Sequence, residues 1–230
     1  MTTLIAWVSI DQRHHRPSIW PVTAVFLGDR LAPSGMQVGS SFLCQRFPDI
    51  FGYLGAVLFP ALVLGQITEA ADSFLLFKEG DTAATRHDKF VNAVRTSFSR
   101  RHNTPDSDFR LVHGAREGSG SKAQFRIWHL TFSASTKKWG HTETDVSTNK
   151  STLVAAFGSG AVALKAHNRT WESSEQGGTS RAIFSAFCDS IRSKDDPYGG
   201  GIPQVVGMYH SRMPQAFGIV RESQRYFHGY

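Results

Sequence analysis

Three short segments of the chain combine hydroxyl, carboxylate and glycine residues in patterns that could support chemistry. They are Met1-Thr2-Thr3 at the start, Gly158-Ser159-Gly160 after an apolar run, and Asp196-Pro-Tyr-Gly-Gly-Gly201. A threonine hydroxyl is a weak nucleophile unless a base lies beside it. If Met1 is removed, the α-amine of Thr2 can be that base, because the pKa of such an amine is about 8.

Each of these segments also has an ordinary structural explanation. Met-Thr is a common way for a chain to begin, and Ser159 could be the N-cap of a helix, a position that serine favours. Asp196 stands before a proline, where aspartate favours a turn. The residue types by themselves therefore leave a structural role open at all three places.

The composition predicts one folded domain that spans residues 1–230. The 230 residues are 40% hydrophobic and 12% aromatic, which supplies enough apolar area for a core and excludes wholesale disorder. The formal net charge is +6, and the basic residues are spread along the chain as on a solvated surface. A nucleic-acid partner is therefore not expected.

Cysteine content and hydropathy predict a soluble, cytoplasmic protein. Only Cys44 and Cys188 are present, without Cys-x-x-Cys spacing, so a disulfide framework or a thiolate zinc site is not supported. The first residues lack the basic region and cleavage site of a secretory signal. The most apolar stretch, Phe51–Phe77, is interrupted by proline, glutamine and two acidic residues and cannot span a bilayer. We expect neither a metal nor an organic cofactor.

The first half of the chain predicts a strand, two helices and two further strands. Leu4–Ile10 is a short apolar run typical of a strand, and apolar residues recur at helical spacing over Pro60–Phe77 and Arg86–Arg101. Phe109–His113 and Phe125–Phe132 are predicted strands joined by a turn over Gly114–Ser121. The polar segment Lys137–Lys150 is predicted to be a surface connection.

The second half repeats this order. Leu153–Phe157 is predicted as a buried strand, followed by a helix that ends near Trp171 and a second helix over Thr179–Ile191. Residues 195–201 are predicted as a loop, and Gln204–Tyr209 and Ala216–Val220 as a closing hairpin. The order predicts an α+β fold, a four-layer αββα sandwich of two stacked, mainly antiparallel sheets with a helix pair on each outer face.

This element order, together with the three segments above, resembles the proteasome β-subunit branch of the N-terminal-nucleophile hydrolases, including its bacterial proteasome-like members. The resemblance covers nearly the whole chain, and Asp196–Gly201 departs from the family pattern by having Gly199 where serine is usual. It implies that Thr2 is the catalytic nucleophile and that Ser159 relays the proton of its amine. It also implies that Asp196 orients both groups, and that backbone N–H groups at Gly158–Gly160 form an oxyanion hole.

Two residues that the family requires are missing from the second strand and from the segment that follows it. The family places an aspartate on this strand and a lysine about sixteen residues later, where the ammonium lowers the barrier to forming the threonine alkoxide. Between Pro17 and Cys44 there is no lysine, and Asp29 lies later than the expected position. Ser40 stands where the lysine is expected.

A shifted reading frame restores both residues. When the last base of each codon is joined to the first two of the next, the nine overlapping codons that end in residues 20–28 can be decoded as Leu-Ala-Ser-Asp-Ser-Arg-Ile-Ser-Trp, the family's second-strand signature. In the same frame, residues 34–42 can give Trp-Asp-Ala-Gly-Arg-Lys-Phe-Phe, which contains the missing lysine. We infer that roughly residues 14–43 are an out-of-frame translation between two compensating shifts.

The sequence therefore supports two functions of different classes. The first is a threonine-type peptidase or amidohydrolase acting on a peptide or protein, with activity impaired because the activating aspartate and lysine are absent. The second is a non-catalytic, proteasome-like subunit that keeps the fold for ring assembly with like subunits. The helical run Pro60–Phe77 is apolar nearly all round, which also predicts a homo-oligomeric ring.

Overall fold

The structure is a computed structural model that describes residues 3–10, 21–28, 41–102, 106–146, 150–193, 195, 203–221 and 223–226. Its helices are α1 Leu58–Asp72, α2 Ala83–Arg100, α3 Ala161–Glu172 and α4 Ser180–Arg192. The strands of the first half are β1 Leu4–Ile10, β2 Pro21–Gly28, β3 Ser41–Leu43, β4 Asp49–Gly55, β5 Phe109–Glu117 and β6 Gln124–Ser133. Those of the second half are β7 Lys138–Thr144, β8 Thr152–Phe157, β9 Gln204–Met208, β10 Gln215–Phe217, β11 Ile219–Arg221 and β12 Gln224–Tyr226.

Two five-stranded antiparallel sheets form the centre of the molecule. The first sheet has the order β10-β9-β2-β1-β8, the second has the order β3-β4-β5-β6-β7, and β11 and β12 form a separate ribbon. The helices α1 and α2 pack on the second sheet, whereas α3 and α4 pack on the first. The two sheets face each other across an apolar layer that contains residues of both sheets. This arrangement confirms the predicted four-layer αββα sandwich.

The strand β1 lies in the middle of this sandwich and is buried on both faces. Leu4 and Ala6 contact the layer between the sheets, whereas Ile5 and Trp7 contact the core beneath α3 and α4. The indole Nε1 of Trp7 donates a hydrogen bond to Ser180 Oγ at the start of α4, at 2.7 Å. The predicted strand is confirmed over its whole length, Leu4–Ile10.

The predicted helices are all present, with shifted ends. The helix α1 begins at Leu58 and ends at Asp72, so the predicted continuation to Phe77 is wrong. The helix α2 begins three residues earlier than predicted, because the side chain of Thr82 accepts a hydrogen bond from the N–H of Thr85 and caps it. Thr179 caps α4 in the same way, as predicted.

Two predicted connections are wrong. Lys138–Thr144 forms β7, an edge strand that pairs only with β6 among the described strands, and its polar composition reflects exposure at this edge rather than a loop. The strand β5 continues through Gly114 to Glu117, because Gly114 stays paired with Ile127, so the turn to β6 begins at Gly118.

In the closing hairpin, β10 pairs with β9, but Ile219 and Val220 belong to the separate ribbon.

The strand β2 contains a bulge. Three steps along β2, from Val22 to Val25, lie opposite two steps along β1, and three steps from Thr23 to Phe26 lie opposite two along β9. An extra residue in a strand interrupts the alternation of its faces. The bulge lies within the stretch of residues 14–43 that is inferred to be out of frame.

The end of β4 allows a sharp test of the packing. Gly55 has a φ of +92°, and a Cβ atom there would lie 2.4 Å from the carbonyl oxygen of Asp108. Gly80 has a similar φ of +85° but no atom within 4 Å of such a Cβ. We expect Gly80→Ala to cost about 1 kcal/mol of unfolding free energy from backbone strain and Gly55→Ala about 1–3 kcal/mol more from the clash. Urea unfolding measures both, and equal losses would contradict this packing.

Candidate active site

The start of β1 is attached to the turn that precedes α3. The hydroxyl oxygen of Thr3 is buried and accepts a hydrogen bond from the backbone N–H of Gly160 at 3.2 Å. The next residue, Leu4, pairs with Phe157 of β8 on one side and Gly28 of β2 on the other. Thr3 and the turn that contains Ser159, which are far apart in sequence, therefore meet in the fold.

The conformation of the turn requires a glycine at position 158. Gly158 has a φ of +96°, a conformation that favours glycine, and Gly160 is the N-cap of α3. The alternative explanation of Ser159 as the N-cap is thus wrong, and Ser159 lies exposed between the two glycines. One of the three N–H groups expected to form an oxyanion hole, that of Gly160, is engaged by Thr3.

The structure brings together only part of the predicted site. Ser159 lies one residue from the group that binds Thr3, whereas Thr2 and Asp196 are outside the described residues. The neighbouring Asp195 is described, and its carboxylate lies 3.5 Å from His167 Nε2 on α3. Asp195 therefore lies beside the helix that follows the Gly158–Gly160 turn.

Two cavities open where β8 ends, one lined by Phe157 and the other by Gly158. One, of about 320 Å³, is lined by His129, Thr144, Lys165 and the side of β8. The other, of about 340 Å³, contains Gly158 together with polar residues of β5 and β6, among them Arg110, Thr131 and Ser133. Both cavities lie next to the turn that meets the beginning of the chain.

The side chains of Arg110 and His129 both pack on the ring of Phe157. The guanidinium of Arg110 lies 4.1 Å from the centre of the Phe157 ring, and His129 packs edge-on against the same ring at 4.7 Å. His129 Nε2 also forms a 2.6 Å hydrogen bond with Thr144 Oγ1. Burial, and then the charge of Arg110, lower the pKa of His129 to about 4, so His129 is neutral at neutral pH while Arg110 is charged.

Arg110 and His129 were not identified from the sequence, although a signal was present. In the predicted strand Phe109–His113, alternation places Arg110 on the opposite face from Phe109 and Leu111. In the structure Phe109 and Leu111 contact the core beneath the helices, whereas Arg110 contacts Phe157 between the sheets. Arg110 is half-buried, and an arginine that points between two sheets is a functional candidate because it is costly to remove a charge from water.

No protein-family model matches the chain, and no curated protein matches it. The comparison with solved structures finds a similarity to eukaryotic HslV from Trypanosoma brucei, with a TM-score of 0.45 and 13% sequence identity. This similarity covers 88% of the present chain and 97% of the HslV chain. The described part of the present chain contains no helix with the length and hydropathy needed to span a membrane.

The hydrogen bond between Thr3 and Gly160 can be tested by two substitutions. Thr3→Val keeps the shape of the side chain but removes the acceptor and leaves a buried N–H unpaired, so we expect a loss of about 1–3 kcal/mol of unfolding free energy. Thr3→Ser keeps the oxygen and is expected to preserve the bond. Amide hydrogen exchange at Gly160 should accelerate in Thr3→Val but not in Thr3→Ser. The same exchange rate in both variants would show that this bond does not hold the turn.

Proposed function

We propose that this chain is a cytoplasmic, proteasome-like N-terminal threonine hydrolase of peptide or amide bonds, impaired in the printed sequence because the activating aspartate and lysine are absent. The observation that carries the proposal is the hydrogen bond from the Gly160 N–H to Thr3 Oγ1. Because Thr3 is bonded to the residue that follows Ser159, this hydrogen bond supports a position for Thr2 close to Ser159. The αββα architecture of the described residues is the fold that the family resemblance implies.

The chemistry needs a free α-amine at Thr2. After removal of Met1, the amine takes the proton of the Thr2 hydroxyl as its oxygen attacks the substrate carbonyl, and a tetrahedral oxyanion forms. The protonated amine then gives this proton to the leaving nitrogen, and an ester on Thr2 remains. Water activated by the same amine hydrolyses the ester and regenerates the hydroxyl. Ser159 and Asp196 are proposed to keep the amine in place and relay its proton.

The described residues add one permanent cation beside this region. Arg110 lines the cavity that contains Gly158, and burial lowers the pKa of its guanidinium, which nevertheless stays protonated at neutral pH. A positive charge near a developing oxyanion lowers the barrier to its formation. Arg110 is a poor substitute for a lysine that must contact the hydroxyl, because its charge is spread over a planar fork.

The effect of the anomalous segment can be measured directly. A version in which residues 14–43 carry the alternative reading regains the aspartate and the lysine, so we expect it to react with a peptide vinyl sulfone about 10²–10⁴-fold faster than the printed sequence. Thr2→Ala in each version is the control and should remove the reaction. Equal labelling of both versions, with equal resistance to proteolysis near residue 30, would contradict the frame inference.

A specific observation also favours the second candidate function, a ring-forming subunit. Leu58 and Leu62 lie one helical turn apart on α1 and are 63% and 59% exposed. Adjacent exposed leucines are unfavourable in water and are typical of a surface that a partner covers. We propose that this face of α1 contacts a like subunit in a ring.

Assembly is tested by analytical ultracentrifugation at micromolar concentration. We expect the unmodified chain to sediment as an oligomer and the variant Leu58→Lys/Leu62→Lys to sediment as a monomer, because two buried charges would oppose the contact. The matched control is Val162→Lys/Val220→Lys, which adds the same charge at positions 80% and 71% exposed on other elements. A stable monomer of the unmodified chain would overturn the ring proposal.

A further inference from the structure

Four side chains form a continuous hydrogen-bonded chain between α2 and the second sheet, on the other side of that sheet from the candidate active site. Asp49 Oδ1 lies 2.8 Å from His113 Nε2, His113 Nδ1 lies 2.9 Å from His87 Nδ1, and His87 Nε2 lies 2.6 Å from His141 Nε2. Asp49 and His113 are completely buried, His87 is 2% exposed, and His141 is exposed. The chain therefore leads from a buried carboxylate to solvent.

The geometry determines which ring nitrogen carries each proton. A neutral imidazole has one N–H donor and one acceptor nitrogen, and a carboxylate only accepts. His113 must therefore donate from Nε2 to Asp49, which makes its Nδ1 an acceptor for His87 Nδ1–H. His87 Nε2 is then the acceptor for His141 Nε2–H. The Nδ1 atom of His141, at the exposed end, is the ring nitrogen that is not used within this chain.

The buried end of the chain is an ion pair that joins several elements. Asp49 Oδ2 accepts a hydrogen bond from Arg86 Nε on α2 at 2.7 Å. The same guanidinium donates to the carbonyl oxygens of Asp81 and Arg116. The side chain of Arg116 in turn donates to the carbonyl oxygens of Tyr209 and Arg212, in the loop between β9 and β10. The pair therefore links α2 and the second sheet with a hairpin of the first sheet.

Charged groups of both signs face the chain from the surrounding elements. The charged ones are Arg86 from α2, Asp49 from β4, Arg116 from β5, Arg126 from β6 and Glu143 from β7, which is paired with Arg126. Burial raises the pKa of the Cys44 thiol beside Asp49, so this group is neutral as well. Asp72 of α1 lies beyond Cys44 and accepts hydrogen bonds from the N–H groups of Gln45 and Arg46.

The pKa values of the buried histidines are lowered. Burial, followed by the neighbouring His113, His141 and Arg126, lowers the pKa of His87 from 6.5 to about 2. Burial also lowers the pKa of His113, although its hydrogen bond with Asp49 opposes this change. Groups with lowered pKa values bind protons in the unfolded chain first, so the folded state loses stability as the pH falls below about 6.5.

We propose that Asp49, His113, His87 and His141 form a proton relay that makes the attachment of α2 and of the β9–β10 loop sensitive to acid. A proton that binds His141 Nδ1 releases the Nε2 proton of His141 to His87 Nε2. The Nδ1 proton of His87 then moves to His113 Nδ1, and the Nε2 proton of His113 moves to Asp49 Oδ1. The net change is one proton added to Asp49, with each histidine neutral in its other tautomer. Arg86 is then a buried cation without its counter-charge.

A metal ion is not the alternative occupant. Among the residues that the structure describes, no group of three or more histidine, cysteine, aspartate or glutamate side chains is arranged to hold one. The facing nitrogens of the relay are at hydrogen-bond distance from each other, and each pair is satisfied by one shared proton.

The tautomers give a direct spectroscopic test. In two-bond ¹H–¹⁵N spectra of histidine-labelled protein at pH 7.5, we expect His87 to carry its proton on Nδ1 and His113 and His141 to carry theirs on Nε2. Two variants assign the signals. His87→Phe keeps a ring next to Trp128, whose ring centre lies 4.3 Å from that of His87 in the unmodified chain. His141→Gln keeps a donor for His87 but cannot be protonated. His87 protonated on Nε2 at this pH would overturn the relay.

The acid response is tested by how local stability, measured as amide protection, changes with pH, and not by the stability at a single pH. His87→Phe interrupts the relay between His141 and His113, so between pH 7 and 5 the amide protection of α2 should fall more in the unmodified chain than in this variant. Amide protection in α2 should fall with acid in the unmodified chain while protection in α4 is retained. Equal losses of α2 protection in the two proteins, or equal losses in α2 and α4 of the unmodified chain, would refute an acid-sensitive attachment.

Discussion

The burial of β1 on both of its faces is the constraint on which the rest of the structure depends. A strand with apolar side chains on both sides must lie inside a sheet that is covered above and below, and Leu4–Val8 is such a strand. Its partners are therefore fixed as β2 and β8, and the end of β8 places the Gly158–Gly160 turn beside Thr3. The position of the candidate active site follows from this packing, without any contribution from the catalytic groups themselves.

The two polar features of the molecule occupy opposite faces of the second sheet because strand residues alternate. On β5, Arg110 points between the sheets toward Phe157, whereas His113, three residues later, points toward α2. The same strand can therefore take part in the candidate active site and in the histidine chain without bringing them together. Arg116 extends the second network to the first sheet through the loop after β9, so a change at the relay would reach the hairpin that pairs with β2.

The sequence predicts elements whose apolar residues recur with a clear period. It does not predict features that depend on which residues become neighbours in the fold. The helices and the inner strands β1, β6 and β8 were predicted because each has a core-facing pattern of its own. The strand β7 was missed because an edge strand can be almost entirely polar when only one neighbour pairs with it. The histidine chain was missed for another reason: residues 87, 113 and 141 lie on three elements, and nothing local relates them. Ser159 beside Thr3 was anticipated from the family resemblance, while Thr2 and Asp196 remain predictions.

The central claim is that Thr2 acts as an N-terminal nucleophile, and mass spectrometry of the N-terminal peptide tests it most directly. The version that carries the alternative reading of residues 14–43 would be treated with a peptide vinyl sulfone, digested, and its N-terminal peptide sequenced by fragmentation. If Thr2 is the N-terminal nucleophile, we expect a peptide that begins at Thr2, without Met1, and carries the adduct on the Thr2 hydroxyl. A retained Met1, or an adduct on any other residue, would contradict it.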